Sequence, residues 1–340
     1  MASSVVIQTS FLGDTILTTP LLVQLANRGP VDVVTTPAAA SVLTGHPAVR
    51  SVVMYDKRGA HAGVFGLTTL AARLRASAYD VAYLAQGSLR SALLAFLARV
   101  PERIGFDTSA GSWLYTTKVA YRDDLHHAAR LLLLSRPNGR EPTADESRPS
   151  LAPASAEREL VDELLQRNGV GAGERMIALA PGSVWATKRW PYYRELAGQL
   201  AGVGRIVVVG GREDSPLALE IRTAVPDAVD ATGVLPLLGS AELIGRCAAI
   251  VTNDSSPLHL ASAMGTPTVA IFGPTVPEFG FGPLAPSRVV VGHETLACRP
   301  CHRHGPRRCP LTHFRCMREL TPEVVAEHAR RLILTPDALA

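Results

Sequence analysis

The 340-residue sequence is poor in lysine, aromatic residues and cysteine. It contains three lysines, 5% aromatic residues and five cysteines. Five cysteines are too few for the disulfide framework of a secreted domain, and no run approaches the roughly 20 apolar residues that span a bilayer. The segment Met1–Gln8 has no basic start, so we expect no secretion signal and a cytoplasmic protein.

Apolar residues are abundant instead. They make up 47% of the chain against 19% charged residues, a balance that excludes a disordered, collagenous or coiled-coil protein. The length suggests about two domains. The formal net charge of +4 is carried by residues 1–150, because residues 151–340 contain equal numbers of basic and acidic side chains.

Short β-branched runs alternate with longer helical patterns along the chain. The runs that we predict as strands are Val5–Ile7, Val31–Thr35, Val52–Met54, Val81–Leu84, Met176–Ala180, Ile206–Val209, Ile250–Thr252 and Thr268–Phe272. Strands of this length that are joined by helices are typical of parallel sheets buried on both faces. We therefore predict an α/β protein with two Rossmann-like, doubly wound parallel-sheet domains that face a central cleft.

The alternation stops between Ser135 and Ala156. Four prolines and almost no apolar periodicity predict an interdomain linker there. The predicted boundaries are an N-terminal domain over 1–145 and a C-terminal domain over 146–320. A last helix within 321–340 is expected to pack back on the N-terminal domain.

Polar residues cluster where predicted strands meet helices, the place at which parallel sheets bind ligands. Ser10, Gly13 and Asp14 follow the first strand, and Gly13 is expected to allow a sharp turn. Asp14 has two interpretations. It either compensates the dipole of the next helix or acts as a base that takes a proton from a substrate hydroxyl.

The segment Pro181–Pro191 combines hydroxyl groups with two cations. Ser183, Thr187, Lys188 and Arg189 suit a phosphate, with Lys188 as a compact point charge. The alternative is a solvated basic loop with surface tryptophans.

Two further turns follow strands of the second half. Gly210 and Gly211 precede Glu213 and Asp214, either of which is suited to a ribose diol, although a plain glycine turn fits equally. In Asn253–His259, Ser255 and Ser256 open a helix that is able to bind an anion, unless the turn is only a capped helix. We expect Asp254 to order this loop or meet a hydroxyl, and His259 to be structural.

Together these segments resemble the ADP-heptose:lipopolysaccharide heptosyltransferases, which are glycosyltransferase family 9, and most of all the heptosyltransferase II group. The similarity is carried by Phe11–Asp14, Pro181–Pro191, Thr252–Thr275 and the cysteine pattern at Cys298–Cys316. The resemblance implies the GT-B fold, a C-terminal domain that binds ADP-heptose and an N-terminal domain that binds the lipid A–core acceptor. It also implies an enzyme at the inner leaflet of the cytoplasmic membrane.

The resemblance further implies an inverting, metal-independent transfer. The sequence has no Asp-x-Asp pair at the end of a predicted strand, which agrees with a transfer that uses no metal ion. By position, Asp14 becomes the base and Lys188 the clamp of the leaving diphosphate. Donor-binding residues become Ser183, Thr187, Lys188, Glu213, Asp254, Ser255 and Ser256. Acceptor-binding residues become Ser10, Gly13, Lys57, Arg58, Arg90 and Arg122. Ser256 departs from the family, which usually has glycine there.

Four cysteines, Cys298, Cys301, Cys309 and Cys316, are interleaved with histidines and six arginines. They suit a structural zinc site, although reduced packed thiols or a facultative disulfide also fit. Two rival functions remain open. One is another GT-B nucleotide-sugar enzyme, either a different glycosyltransferase or an epimerase, and an epimerase would need a second acid/base group. The other is a zinc-stabilised basic module for nucleic acid, which would leave the cleft motifs unexplained. We therefore expect no nucleic-acid partner.

Overall fold

Both halves of the chain fold around a six-stranded parallel sheet. The computed structural model describes residues 2–136 and 139–334, and the chain divides into two units, Met1–Ala152 and Pro153–Ala340. We call them the N-terminal and the C-terminal unit. None of the helices in the described residues is long and apolar enough for a membrane span.

The N-terminal unit contains strands β1–β6 and helices α1–α6. Its strands are β1 (Ser4–Ile7), β2 (Val31–Thr35), β3 (Ser51–Met54), β4 (Val81–Leu84), β5 (Glu102–Phe106) and β6 (Thr117–Val119). Its helices are α1 (Leu12–Leu17), α2 (Thr19–Ala26), α3 (Pro37–Ala40), α4 (Gly63–Ala76), α5 (Leu89–Leu97) and α6 (His127–Leu133).

The C-terminal unit contains strands β7–β12 and helices α7–α13. Its strands are β7 (Met176–Ala180), β8 (Arg205–Val208), β9 (Val229–Asp230), β10 (Ala249–Asn253), β11 (Thr268–Phe272) and β12 (Arg288–Gly292). Its helices are α7 (Ser155–Arg167), α8 (Tyr193–Leu200), α9 (Ser215–Ala224), α10 (Leu237–Gly245), α11 (Ser256–Met264), α12 (Arg315–Arg318) and α13 (Pro322–Leu334).

The two sheets have the same strand order. It is β3-β2-β1-β4-β5-β6 in the first sheet and β9-β8-β7-β10-β11-β12 in the second. The order reverses between β1 and β4 and between β7 and β10, so the loops after these strands diverge and leave a crevice for a ligand. The central strands are buried throughout because helices cover both faces. The predicted doubly wound α/β class is confirmed.

Several predicted bounds coincide with the structure and others do not. Ser88 caps α5 as predicted, since its hydroxyl accepts a hydrogen bond from the Ser91 N–H at 3.1 Å. The helix predicted over Asp14–Ala26 is two helices, and Pro20 lies in the first turn of the second one. The strands β5, β6, β9 and β12 were not predicted, because they are short or carry charged and glycine residues. The helices α3, α6 and α12 were not predicted either.

The proline-rich stretch is largely attached to the N-terminal unit. The Ser150 N–H donates to Thr19 Oγ1 at 2.9 Å, and His46 Nε2 lies 3.2 Å from the Ser150 carbonyl oxygen. Pro137 and Asn138, within the predicted linker, lie outside the described residues. The unit boundary follows Ala152, later than the predicted 145.

The last helix belongs to the C-terminal unit. In α13, Val325, Ala329 and Leu332 are buried in the same core as Leu196 of α8 and Ile271 of β11. The amphipathic pattern of α13 is satisfied by the sheet of its own unit. The expected packing of the segment 321–340 on the N-terminal domain stays a prediction, and residues 335–340 lie outside the described residues.

Candidate functional site

Asp14 lies at the crevice of the N-terminal unit, in the first turn of α1 directly after β1. Its Oδ2 accepts a hydrogen bond from the Phe11 N–H at 3.2 Å, so it does cap the helix. Burial nevertheless dominates, because desolvation of the carboxylate raises the pKa of Asp14 from 3.8 to about 6. A carboxyl with this pKa is suited to proton transfer near neutral pH.

His127, at the start of α6, is a neighbour of Asp14 that the sequence analysis missed. Its Nε2 lies 3.4 Å from Asp14 Oδ1, and both side chains are largely buried. The adjacent His126 caps α6 through Nδ1, which accepts from the Ala128 N–H at 3.2 Å. The only sequence signal was a pair of histidines before an apolar run.

Lys57 and Arg90 reach towards the loops at the same crevice. Lys57 Nζ donates to the Thr9 carbonyl oxygen at 2.8 Å, which brings the loop after β3 to the loop after β1. Burial lowers the pKa of Lys57, and Arg90 and Arg58 add to this effect. Arg90 donates to the Tyr55 hydroxyl and to the Gly63 carbonyl oxygen at 2.9 Å.

The other predicted acceptor residues differ in placement. Ser10 is half-buried. Gly13 lies inside α1 and does not have the left-handed backbone conformation, so the expectation that it allows a sharp turn was wrong. Arg58 is exposed. Arg122 follows β6, three strands from β1, and pairs with Asp124 at 2.5 Å. This ion pair raises the pKa of Arg122.

The corresponding crevice of the C-terminal unit contains a buried ion pair. Lys188 Nζ donates to Asp254 Oδ2 at 2.6 Å, and both side chains are about nine-tenths buried, with exposed fractions of 11% and 10%. The Thr275 hydroxyl donates to the same carboxylate oxygen at 2.7 Å. Asp254 therefore orders the Lys188 ammonium group, and its expected roles in ordering its own loop or meeting a substrate hydroxyl stay predictions.

Loop–loop hydrogen bonds fix the segment around Lys188. The Thr187 hydroxyl donates to the Pro306 carbonyl oxygen, and Arg189 Nε donates to the Ser183 carbonyl oxygen at 2.8 Å. Trp190 is buried in the core rather than on the surface, and its indole N–H donates to the Leu320 carbonyl oxygen at 2.8 Å. The Thr187 hydroxyl therefore holds its loop to Pro306 in this structure.

Asn253 joins the two loops of this crevice and was also missed. Its fully buried side chain accepts from the Trp190 N–H at 3.2 Å and donates to the Pro181 carbonyl oxygen at 2.8 Å. Ser255 and Ser256 follow at the start of α11, where the Ser255 side chain makes no capping hydrogen bond. The first turn of α11 therefore presents N–H groups and a partial positive charge beside Lys188 and Asp254.

Glu213 and Asp214 follow β8, next to β7 in the sheet. Glu213 is exposed, whereas Asp214 is buried and accepts from the Gly211 N–H at 3.0 Å. A Cβ at Gly182 would lie 2.3 Å from the Asp214 carboxylate, so only glycine allows this approach. Burial raises the pKa of Asp214.

His259 is buried in α11, and burial lowers its pKa to about 4. This is consistent with the expectation of a structural histidine, which is neutral at pH 7.

The four clustered cysteines are close in the chain, and none of them forms a disulfide in the structure. Within the residues that the structure describes, no group of three or more His, Cys, Asp or Glu side chains is placed to hold a metal ion. Cys298 Sγ lies 3.9 Å from His313 Nε2, and Cys316 is packed in the hydrophobic core, where burial raises its pKa to about 11. The structural zinc site stays a prediction, and no chemical step is assigned to it.

Comparisons with known proteins identify the family of this chain. Residues 67–311 match the family model for glycosyltransferase family 9 (heptosyltransferase). The lipopolysaccharide heptosyltransferase 2 of Salmonella typhimurium is 30% identical over 81% of this chain and 83% of its own. The lipooligosaccharide heptosyltransferase 2 of Haemophilus influenzae is 28% identical over 96% and 98%.

A solved structure shows the same similarity in three dimensions. The ADP-heptose lipopolysaccharide heptosyltransferase II of E. coli superposes with a TM-score of 0.79 at 26% identity, covering 99% of this chain and 100% of that one. The two doubly wound units are accordingly those of the GT-B fold. Fold, motifs and family match lead to one conclusion: the chain belongs to glycosyltransferase family 9, the heptosyltransferase family.

Proposed function

We propose that this glycosyltransferase moves a heptose from ADP-heptose to the inner core of lipopolysaccharide, with inversion at the anomeric carbon and without a catalytic metal. One observation carries the proposal: the crevice of one unit holds a buried carboxyl, Asp14, and the equivalent crevice of the other holds a buried cation, Lys188. A transfer with an anionic leaving group needs one group of each kind.

Asp14 is the proposed base. Its carboxylate takes the proton of the acceptor hydroxyl while that oxygen forms a bond to the anomeric carbon of the donor. With a pKa of about 6, Asp14 is mostly ionised at pH 7.5 yet basic enough to accept the proton. His127, 3.4 Å away, is placed to orient the carboxylate.

Lys188 and α11 are the proposed leaving-group site. As the bond between the anomeric carbon and the diphosphate oxygen breaks, its electron pair leaves with ADP and negative charge grows on the phosphate. The Lys188 ammonium and the N–H groups at Ser255 and Ser256 supply positive charge there, so the residues present serve the purpose of a metal ion. Glu213 is the proposed ribose ligand, and Ser183 and Thr187 shape the loop.

The N-terminal unit is the proposed acceptor unit, where Ser10, Gly13, Lys57, Arg58 and Arg90 are the candidate ligands of anionic core groups.

We also propose that the N-terminal unit contacts the inner leaflet of the cytoplasmic membrane. Val64 and Phe65 lie in the first turn of α4 with 76% and 84% of their surface exposed. Residues 57–79 contain four lysine or arginine residues and no acidic residue. Exposed apolar residues beside cations suit an anionic bilayer.

Two measurements test the function. Calorimetric titrations with ADP, GDP and UDP should show the tightest binding for ADP, and purified protein should transfer heptose from ADP-heptose to truncated core acceptors. Retention of activity after exhaustive chelation is expected. Transfer that depends on an added divalent ion, or product with retained anomeric configuration, would overturn the metal-independent or the inverting part.

A further inference from the structure

The segment Cys298–Pro306, which the proposed mechanism does not use, lies across the carboxyl edge of the second sheet. It has neither helix nor strand and is held by backbone acceptors. Arg299 donates to the carbonyl oxygens of Phe272 at 2.9 Å and Thr275 at 3.2 Å, and the Cys301 N–H donates to the Pro274 carbonyl oxygen at 2.9 Å. The segment is therefore fixed to the loop that follows β11.

The same loop contacts the ion pair. Thr275, whose carbonyl oxygen accepts from Arg299, donates its hydroxyl to Asp254 Oδ2 at 2.7 Å, and Asp254 holds Lys188. One chain of hydrogen bonds thus runs from the segment to the Lys188 ammonium.

The end of the segment also packs directly on Lys188. Gly305 is buried with φ +85°, and a Cβ placed on it would lie 3.1 Å from Lys188 Cε and 3.3 Å from Lys188 Cγ. The next residue, Pro306, accepts the hydrogen bond from the Thr187 hydroxyl. The backbone of Gly305 and Pro306 therefore covers the alkyl chain of Lys188 and secures the residue before it.

We propose that the segment Cys298–Pro306 is a wall of the donor site and that Gly305 and Pro306 are positioning residues for Lys188. A lysine side chain has four flexible carbons, so its ammonium is useful at a diphosphate only when the chain is held in one rotamer. The inference rests on the proposed role of Lys188. It gives the cysteine-rich stretch a function in donor binding that requires neither a metal nor a disulfide.

The test compares two glycines that differ in one respect. Gly305 and Gly173 both have positive φ, +85° and +78°, but a Cβ at Gly173 meets nothing within 4 Å. Alanine therefore strains the backbone at both sites and displaces Lys188 at only one. We expect Gly305→Ala to weaken ADP binding about tenfold in calorimetry and to leave the acceptor KM unchanged, and Gly173→Ala to bind ADP like the wild type.

Thr187 gives a second readout should Gly305→Ala fail to fold. Thr187→Val removes the hydrogen bond to Pro306 and should raise the Kd for ADP several-fold. Thr187→Ser keeps the hydroxyl and should bind ADP with the wild-type Kd. The proposal that Cys298–Pro306 forms a wall of the donor site would be overturned if Gly305→Ala and Thr187→Val bound ADP almost like the wild type while Lys188→Ala bound it weakly. The proposed function would then still stand. Wild-type binding by Lys188→Ala would instead overturn the role of Lys188 itself.

Discussion

The two units share one topology, but the buried carboxyl group in the crevice has different neighbours in each unit. After β1 a carboxyl is buried, and desolvation raises its pKa to about 6. After β10 another carboxyl is equally enclosed but receives hydrogen bonds from Lys188 and Thr275. An aspartate thus lies at the carboxyl ends of the strands in both sheets. Asp14 is suited to accept a proton, whereas Asp254 is paired with the Lys188 ammonium.

The difference shows how a repeated scaffold divides the work of one reaction. Strand order fixes where a ligand binds, because the loops diverge at the reversal of the sheet. What happens there depends on neighbours contributed by other elements: His127 from α6 in one unit, Lys188 from the loop after β7 in the other. Topology alone therefore does not assign a role to either carboxylate.

Removing the base should have the largest effect. Asp14→Asn keeps an oxygen for the Phe11 N–H but accepts no proton, so we expect kcat to fall by about 10³-fold, within the range of general-base catalysis. ADP binding by calorimetry should stay unchanged, since Asp14 belongs to the other unit. A variant with more than a tenth of the wild-type kcat would remove Asp14 from the mechanism.

Removing the cation should affect the donor instead. Lys188→Ala should weaken ADP binding by roughly 10- to 100-fold, the range for hydrogen bonds to charged groups. Lys118→Ala is the matched control, because it removes an exposed lysine from the N-terminal unit. Equal ADP affinity in the two variants would contradict the contrast between the units.

The raised pKa of Asp14 should also appear as a pH-dependent stability. Its folded-state pKa of about 6 exceeds the ordinary 3.8, so the favourable contribution present below pH 4 is lost as the pH rises through 6. That loss corresponds to at most about 3 kcal/mol in the free energy of unfolding. Asp14→Asn should therefore be more stable than the wild type at pH 8 and similar to it at pH 4, as measured by denaturant unfolding. Destabilisation at both pH values would show that Asp14 is needed for the fold.

The smallest expected effect concerns the bilayer. Phe65→Asp should weaken sedimentation with phosphatidylglycerol vesicles by about three- to tenfold, since it replaces an apolar contact with a negative charge. Leu219→Asp, at a 64% exposed position on α9 of the C-terminal unit, is the control and should bind vesicles like the wild type. Equal losses in both variants would mean that the N-terminal unit has no special role at the membrane.

The sequence predicts the architecture well because the inner strands are mostly apolar and rich in β-branched residues. Val31–Thr35, Val81–Leu84, Met176–Ala180 and Thr268–Phe272 have the predicted bounds. Outer strands have no such signal: β5 begins with Glu102 and contains Gly105, and β9 has two residues. Their pairing depends on a neighbouring strand already in place, which no local pattern records.

For the site, the sequence indicates which loops matter but not which atoms meet. Asp14, Lys188 and Asp254 are recognisable by their place after strands. The pairing of Lys188 with Asp254, 66 residues apart, and the approach of Gly305 to Lys188 arise from sheet order and from a loop without regular structure. Likewise, Asn253 is inconspicuous in sequence, although its amide joins both loops of the crevice.

The separate sheets have a practical consequence for engineering. Within the described residues, each sheet draws its strands from one side of the boundary between Ala152 and Pro153, and no strand pairs across it. A chimaera joined at that peptide bond would therefore exchange a whole hydrophobic core rather than divide one. Such hybrids between relatives that use different sugars would show whether donor choice is inherited with one half of the polypeptide.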